Sequence, residues 1–140
     1  MTQPSTPEWL RVLAEPRLRA NSLQRGDIPA QPGVYAWFRD DGCVYLGKAS
    51  ELRSRLSTHL RTSLDLSRST LRSWVAVREL DLTHEYTRRR PTVLTDEEVA
   101  IVNAWIGECD LAWTTTDSRE EAALLEAKLL SAWRPPIIVA

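Results

Sequence analysis

Apolar positions along the 140-residue chain fall into short groups, and their spacing changes from helical to alternating near residue 33. Thr6-Pro7-Glu8 reads as a helix start, with Thr6 as N-cap and Pro7 at the first helical position. Trp9, Leu10, Leu13 and Leu18 then supply an apolar stripe, and Pro16 limits the helix to two or three turns. Residues 21–32 carry Gly26, Pro29 and Pro32 with few large apolar side chains, which predicts a loop. Residues 33–39 and 43–47 are rich in β-branched and aromatic residues and predict two strands joined at Asp40-Asp41-Gly42. A three-residue loop with Gly42 in the left-handed conformation pairs Trp37 with Tyr45 and Tyr35 with Gly47. Tyr35 and Tyr45 then share one face. A two-residue Asp41-Gly42 turn instead sets the phenols on opposite faces.

Past the hairpin the period returns to that of a helix. Leu52, Leu56 and Leu60 recur at every fourth position behind Ser50-Glu51, so they face the core and fix Arg55 and His59 as a pair on one flank. Gly47 brings the strand end close to this helix, and Lys48 projects from the junction as an anion-binding corner. A second helix is expected over 64–78, capped by Ser67 or Ser69, with Leu71, Trp74 and Val75 inward. Leu80 and Leu82 alternate like a weak strand, and Arg88-Arg89-Arg90-Pro91 reads as a basic loop. Thr95-Asp96-Glu97-Glu98 is a capping box that starts a helix reaching about Ile106. A third strand is expected at 110–115. Asp117 or Ser118 caps a last helix, whose inward positions include Ala122, Leu125, Leu129 and Ala132 before Pro135-Pro136 ends it.

Composition narrows the class. A 43% hydrophobic and 26% charged chain of this length suits one globular domain. No apolar run approaches the roughly 18 residues of a membrane span. The N-terminus has no signal-peptide pattern, and Cys43 and Cys109 lack metal-ligand spacing, so both are expected as buried thiols in a reducing, cytoplasmic setting. The net charge is −1, yet seven Lys/Arg face two Asp/Glu between Lys48 and Arg78. That local surplus is what a phosphate backbone would feel.

The residues gathered around the hairpin resemble the GIY-YIG nuclease superfamily. Its two name motifs stand here as Gly33-Val34-Tyr35 and Tyr45-Leu46-Gly47. Arg55 falls where the family's arginine sits and His59 where many members place a histidine. Lys48-Ala49 is similar to the N-terminal nuclease domain found in an excision-repair branch of the family. Glu121-Ala122-Ala123-Leu124-Leu125-Glu126 resembles the helix bearing the family's metal-binding glutamate, which makes Glu126 that residue.

The resemblance implies an α+β fold, a small three-stranded antiparallel sheet flanked by helices. Residues 1–140 would form a single nuclease domain with a helical extension over 1–30 and a helical insertion over about 64–107. It implies an endonuclease that hydrolyses phosphodiester bonds in nucleic acid, DNA before RNA, with one divalent metal, Mg²⁺ or Mn²⁺, held by Glu126. Tyr35 would serve as general base or orient the attacking water, and a phenol with pKa near 10 needs a nearby cation to ionise. Arg55 would clamp phosphate oxygens, Tyr45, Lys48 and Gly47 would border the phosphate, and His59 would act as base or phosphate contact. Arg53 is expected as a further phosphate contact or a solvated cation. One departure stands out: Ile138 occupies the place of the family's terminal asparagine, for which Asn103 is the candidate substitute. The alternative is a catalytically degenerate module that binds nucleic acid or a protein partner.

Overall fold

The 33–39 strand lies inside the sheet, hydrogen-bonded on both edges, and this placement organises the rest of the chain. The structure, a computed structural model, describes residues 4–137. The elements run α1 (Pro7–Ala14), β1 (Leu18–Arg19), β2 (Gly33–Arg39), β3 (Gly42–Ala49), α2 (Leu52–His59), α3 (Thr70–Leu80), α4 (His84–Thr87), α5 (Asp96–Gly107), β4 (Asp110–Thr115) and α6 (Arg119–Ala132). The fold is α+β. Its antiparallel sheet has four strands rather than three, in the order β1-β4-β2-β3. The added strand, Leu18–Arg19, pairs with Leu111 and Asp110 and is exposed along its length, so no apolar pattern marks it.

The hairpin closes differently from the expectation, yet reaches the expected register. Arg39 pairs with Gly42, so the loop is the two-residue Asp40-Asp41, both left-handed at φ 53° and 65°. Asp tolerates this region because its short side chain can bond locally. Gly42 is not left-handed. A bulge opposite Trp37 and Phe38 then inserts one residue, Val44, between Cys43 and Tyr45. That insertion restores the pairs Trp37 with Tyr45 and Tyr35 with Gly47. The phenols share a face, their ring centroids 6.3 Å apart. The freed Val44 carbonyl accepts from the Ile137 amide, which docks the C-terminal segment on β3.

Both sheet faces are covered. Tyr35, Trp37, Tyr45 and Leu111 pack with Leu52 and Leu56 of α2, Leu71 and Val75 of α3 and Val102 of α5. Val34, Ala36, Phe38, Leu46 and Ala112 pack with Trp9 and Val12 of α1 and Ala122 and Leu129 of α6. Helix α1 starts at its Thr6 cap as expected, but Val12 completes its inward face, while Leu10 (55%) and Leu18 (41%) are exposed. Trp9 crosses the layer, donating from Nε1 to the Leu129 carbonyl at 2.8 Å and meeting Trp133 edge-on.

Helix α3 is capped by Ser69 and runs through Leu80, so the Leu80–Leu82 stretch is a helix end and loop rather than a strand. Thr95 and Glu98 form the reciprocal capping box on α5. On α6, Ser118 accepts from the Glu121 amide, whereas the Glu121 carboxylate turns to the Asp117 amide, leaving that box incomplete. Cys43 and Cys109 are buried free thiols, and desolvation pushes them up to about 12 and about 11. No helix among the described residues is long and apolar enough to cross a membrane. Ile138 lies outside the described residues.

Candidate active site

The site forms at the edge strand β3, where alternation sends Tyr45 and Gly47 toward α2 and α3 and sends Leu46 and Lys48 toward α6. Gly47 is the break between the two sides. A β-carbon built there would collide with the Tyr35 hydroxyl and lie 2.5 Å from its Cζ, so the phenol crosses space that only glycine leaves open. Gly33, at the start of β2, has the same role for the Thr114 carbonyl and Leu52. The resulting cavity of about 310 Å³ is lined by Tyr35, Tyr45, Gly47, Lys48, Arg55 and Glu126, together with Leu46, Thr70, Trp74 and Leu130.

Six sequence-derived candidates therefore converge. Tyr35 is 1% exposed, and burial, then the neighbouring Tyr45, pushes its phenol well above the usual range, with Arg55 opposing. Burial also raises Tyr45, again opposed first by Arg55. Glu126 is mostly buried; desolvation raises its carboxyl and Lys48 pulls it back. The Lys48 ammonium stands 4.0 Å from Glu126 and is itself half exposed, so it is free to turn to another anion.

His59 is fully buried behind the cavity, whereas Arg55 lines it. Its Nε2 meets the Tyr35 hydroxyl at 2.8 Å and its Nδ1 meets the Ser69 hydroxyl at 2.6 Å. Burial, then Arg55 and Arg72, brings its pKa down to about 3, so the ring is neutral. It does not line the cavity itself and reaches it through the Tyr35 phenol.

Arg53 leaves the constellation: its Nε donates to the Ile28 carbonyl and ties α2 to the preceding loop. Asn103 does so too, accepting from Arg72 and donating to the Thr62 carbonyl beside a different cavity. Sequence reasoning misses Thr70 as a wall residue and reads Ser69 as a cap and Trp74 as core alone. All three come from the 64–107 segment, and only the Ser69 capping pattern is visible in the chain.

No protein-family model matches the chain. A crystal structure of the GIY-YIG N-terminal endonuclease domain of UvrC from Thermotoga maritima, bound to its catalytic divalent cation magnesium, is 20% identical, covering 96% of this chain and 99% of that one with a TM-score of 0.46. UvrABC system protein C from a Synechococcus species is 30% identical over 112 residues, 79% of this chain and 13% of that protein. The Bifidobacterium longum protein of the same name is 35% identical over 86 residues, 60% of this chain and 10% of its own length. The sequence likeness to these curated proteins agrees with the resemblance carried by the motif residues. The chain spans about an eighth of the length of the first of these curated relatives. In this chain the two motif tyrosines face one cavity across Gly47, with Arg55 of α2 and Glu126 of α6 on its walls.

Proposed function

We propose that this domain is a metal-dependent nuclease that hydrolyses phosphodiester bonds, in DNA before RNA. The carrying observation is that two phenols, an ammonium, a guanidinium and one carboxylate line a single cavity open at a sheet edge. The similarity to UvrC proteins agrees with it. Among the described residues no group of three or more acidic, histidine or cysteine side chains could cage a metal. One carboxylate, completed by water and substrate phosphate, is nevertheless a donor set that suits Mg²⁺, so the residues fit such an ion with Glu126 as its protein ligand. When bound, the ion would supply charge stabilisation at the scissile phosphate.

The chain's own groups divide the remaining work. Arg55 presents a planar fork for two phosphate oxygens, and Lys48, released from Glu126, neutralises another. Tyr35 holds the attacking water through its hydroxyl, and Tyr45 borders the same water or phosphate. His59 positions Tyr35 from behind. Leu46, Trp74 and Leu130 give the cavity an apolar wall, and fewer waters along that wall strengthen each charged contact.

The test is cleavage of supercoiled plasmid with Mg²⁺ or Mn²⁺ by the wild type and by Glu126→Ala. Nicking by the wild type alone supports the proposal. Equal nicking by both, or none by either, overturns it. Labelled DNA bound without cleavage would instead favour a degenerate binding module.

A further inference from the structure

The contacts behind Tyr35 have a direction. Ser69 is the N-cap of α3, and its Oγ accepts from the Arg72 amide at 3.1 Å. It is 2% exposed, and among the described residues the one acceptor in reach of its own hydroxyl proton is His59 Nδ1, 2.6 Å away. If Ser69 donates there, Nδ1 is an acceptor and the neutral ring carries its proton on Nε2. Nε2–H then donates to the Tyr35 oxygen at 2.8 Å. The opposite polarity leaves the buried Ser69 proton without a partner, a desolvation cost that nothing around it offsets.

We propose that Ser69 is a positioning residue that fixes the His59 tautomer, so that His59 donates to the Tyr35 oxygen and turns the phenol's own proton toward the cavity. This rests on the hydrolytic reading of the site and refines it. His59 is then a hydrogen-bond donor to Tyr35, not the acceptor of its proton. A donor at the phenol oxygen favours a water oriented by Tyr35 and stabilises negative charge on that oxygen. The charged and titratable groups around the pair are Tyr45 on β3, Arg55 on α2, Arg72 on α3 and Glu126 on α6. The two arginines reinforce the neutral state of the ring. The 64–107 segment thereby gains a part in the site, since the first turn of α3 is the back wall behind Tyr35.

Two readouts test this in the intact chain. The chain has two histidines, so in a His84→Gln background His59 is the sole source of imidazole ¹⁵N signals. At neutral pH its spectrum should show the Nε2–H tautomer. An Nδ1–H tautomer overturns the proposal whether or not the protein cuts DNA. Ser69→Asp retains a good capping group but offers His59 only acceptor oxygens. It should put a proton on Nδ1 and lower kcat about 10–100-fold, the usual scale for a supporting residue, with KM for DNA within about twofold. Ser69→Thr, which keeps the hydroxyl, should restore the Nε2–H signal and most of kcat. Ser69→Asp cutting at the wild-type rate with Nδ1 protonated would sever the tautomer from catalysis and overturn the functional half. A wild type that cuts nothing fails the hydrolytic reading, while the NMR result still decides the polarity.

Discussion

Replacing Gly47 with alanine tests the geometry on which the whole site depends. The added β-carbon would lie 2.5 Å from Tyr35 Cζ and 3.0 Å from Cε2. Carbon pairs are comfortable at about 3.5–4.0 Å, so the ring must retreat by about 1 Å. Retreat is obstructed, because Tyr35 is 1% exposed and bonded to His59 at 2.8 Å. A displacement of that size stretches the bond beyond useful length. Overpacking of this kind costs about 1–3 kcal/mol. For a domain of this length that corresponds to a fall in Tm of roughly 3–10 °C. Misplacing a reacting group by about 1 Å costs on the order of 100-fold in rate, so activity should fall further than stability alone explains. Thermal unfolding and plasmid nicking, measured together, read both effects. Gly26→Ala is the control, since a β-carbon added there would meet nothing within 4 Å. Gly47→Ala with wild-type Tm and wild-type nicking would refute the account of Tyr35 passing through the glycine gap.

Other perturbations follow from the same contacts. Glu126 has a raised folded pKa, so burial of its charge destabilises the fold above the unfolded value of 4.5. Glu126→Gln should therefore abolish nicking yet raise Tm near pH 7.5, with the gain vanishing below about pH 4.5; a lower Tm at pH 7.5 refutes this. His59 falls from 6.5 to about 3 on folding, so the unfolded chain binds its proton first. Stability present above pH 6.5 is lost as pH falls toward 3, by up to about 5 kcal/mol, and His59→Gln should flatten that part of the pH–stability curve. Equal slopes for the two proteins would contradict the buried neutral ring. Arg72 is 1% exposed and donates to the Ser63 and Asp65 carbonyls and to Asn103. Arg72→Met should cost about 2–4 kcal/mol in urea unfolding by leaving these acceptors unpaired, and a change below about 1 kcal/mol rules that out.

Legibility in the sequence tracks how local each determinant is. Caps at Thr6 and Thr95 and the strand 110–115 depend on neighbouring residues, and the structure has them where the pattern puts them. The hairpin register follows the expectation although its loop does not: a shorter turn and a bulge each shift pairing by one, and the shifts cancel. The burial of His59 is not readable from helical spacing, because the covering residue, Ser69, arrives from ten positions later. Arg53 shows the converse. Its sequence neighbourhood is that of a phosphate contact, but the Ile28 carbonyl claims it across 25 positions. The strand Leu18–Arg19 is invisible in the pattern because it is two exposed residues long.

The spacing Tyr45-Leu46-Gly47-Lys48 has a physical reading once the strand is known to be the sheet edge. A site that uses groups from both faces of a covered sheet cannot sit over an inner strand, since β2 and β4 separate the layers. At the edge the two layers meet around one backbone. Odd positions then serve the α2–α3 side and even positions the α6 side, so Tyr45 and Lys48 must differ in parity to face His59's neighbour Tyr35 and Glu126 respectively. The position between them must lack a side chain for Tyr35 to reach the rim. Inserting one residue between Tyr45 and Gly47 would therefore invert the tyrosine while leaving Lys48 opposite Glu126. Such a variant should lose nicking; retained nicking by a protein that circular dichroism shows to be folded would mean that the phenol's face does not matter.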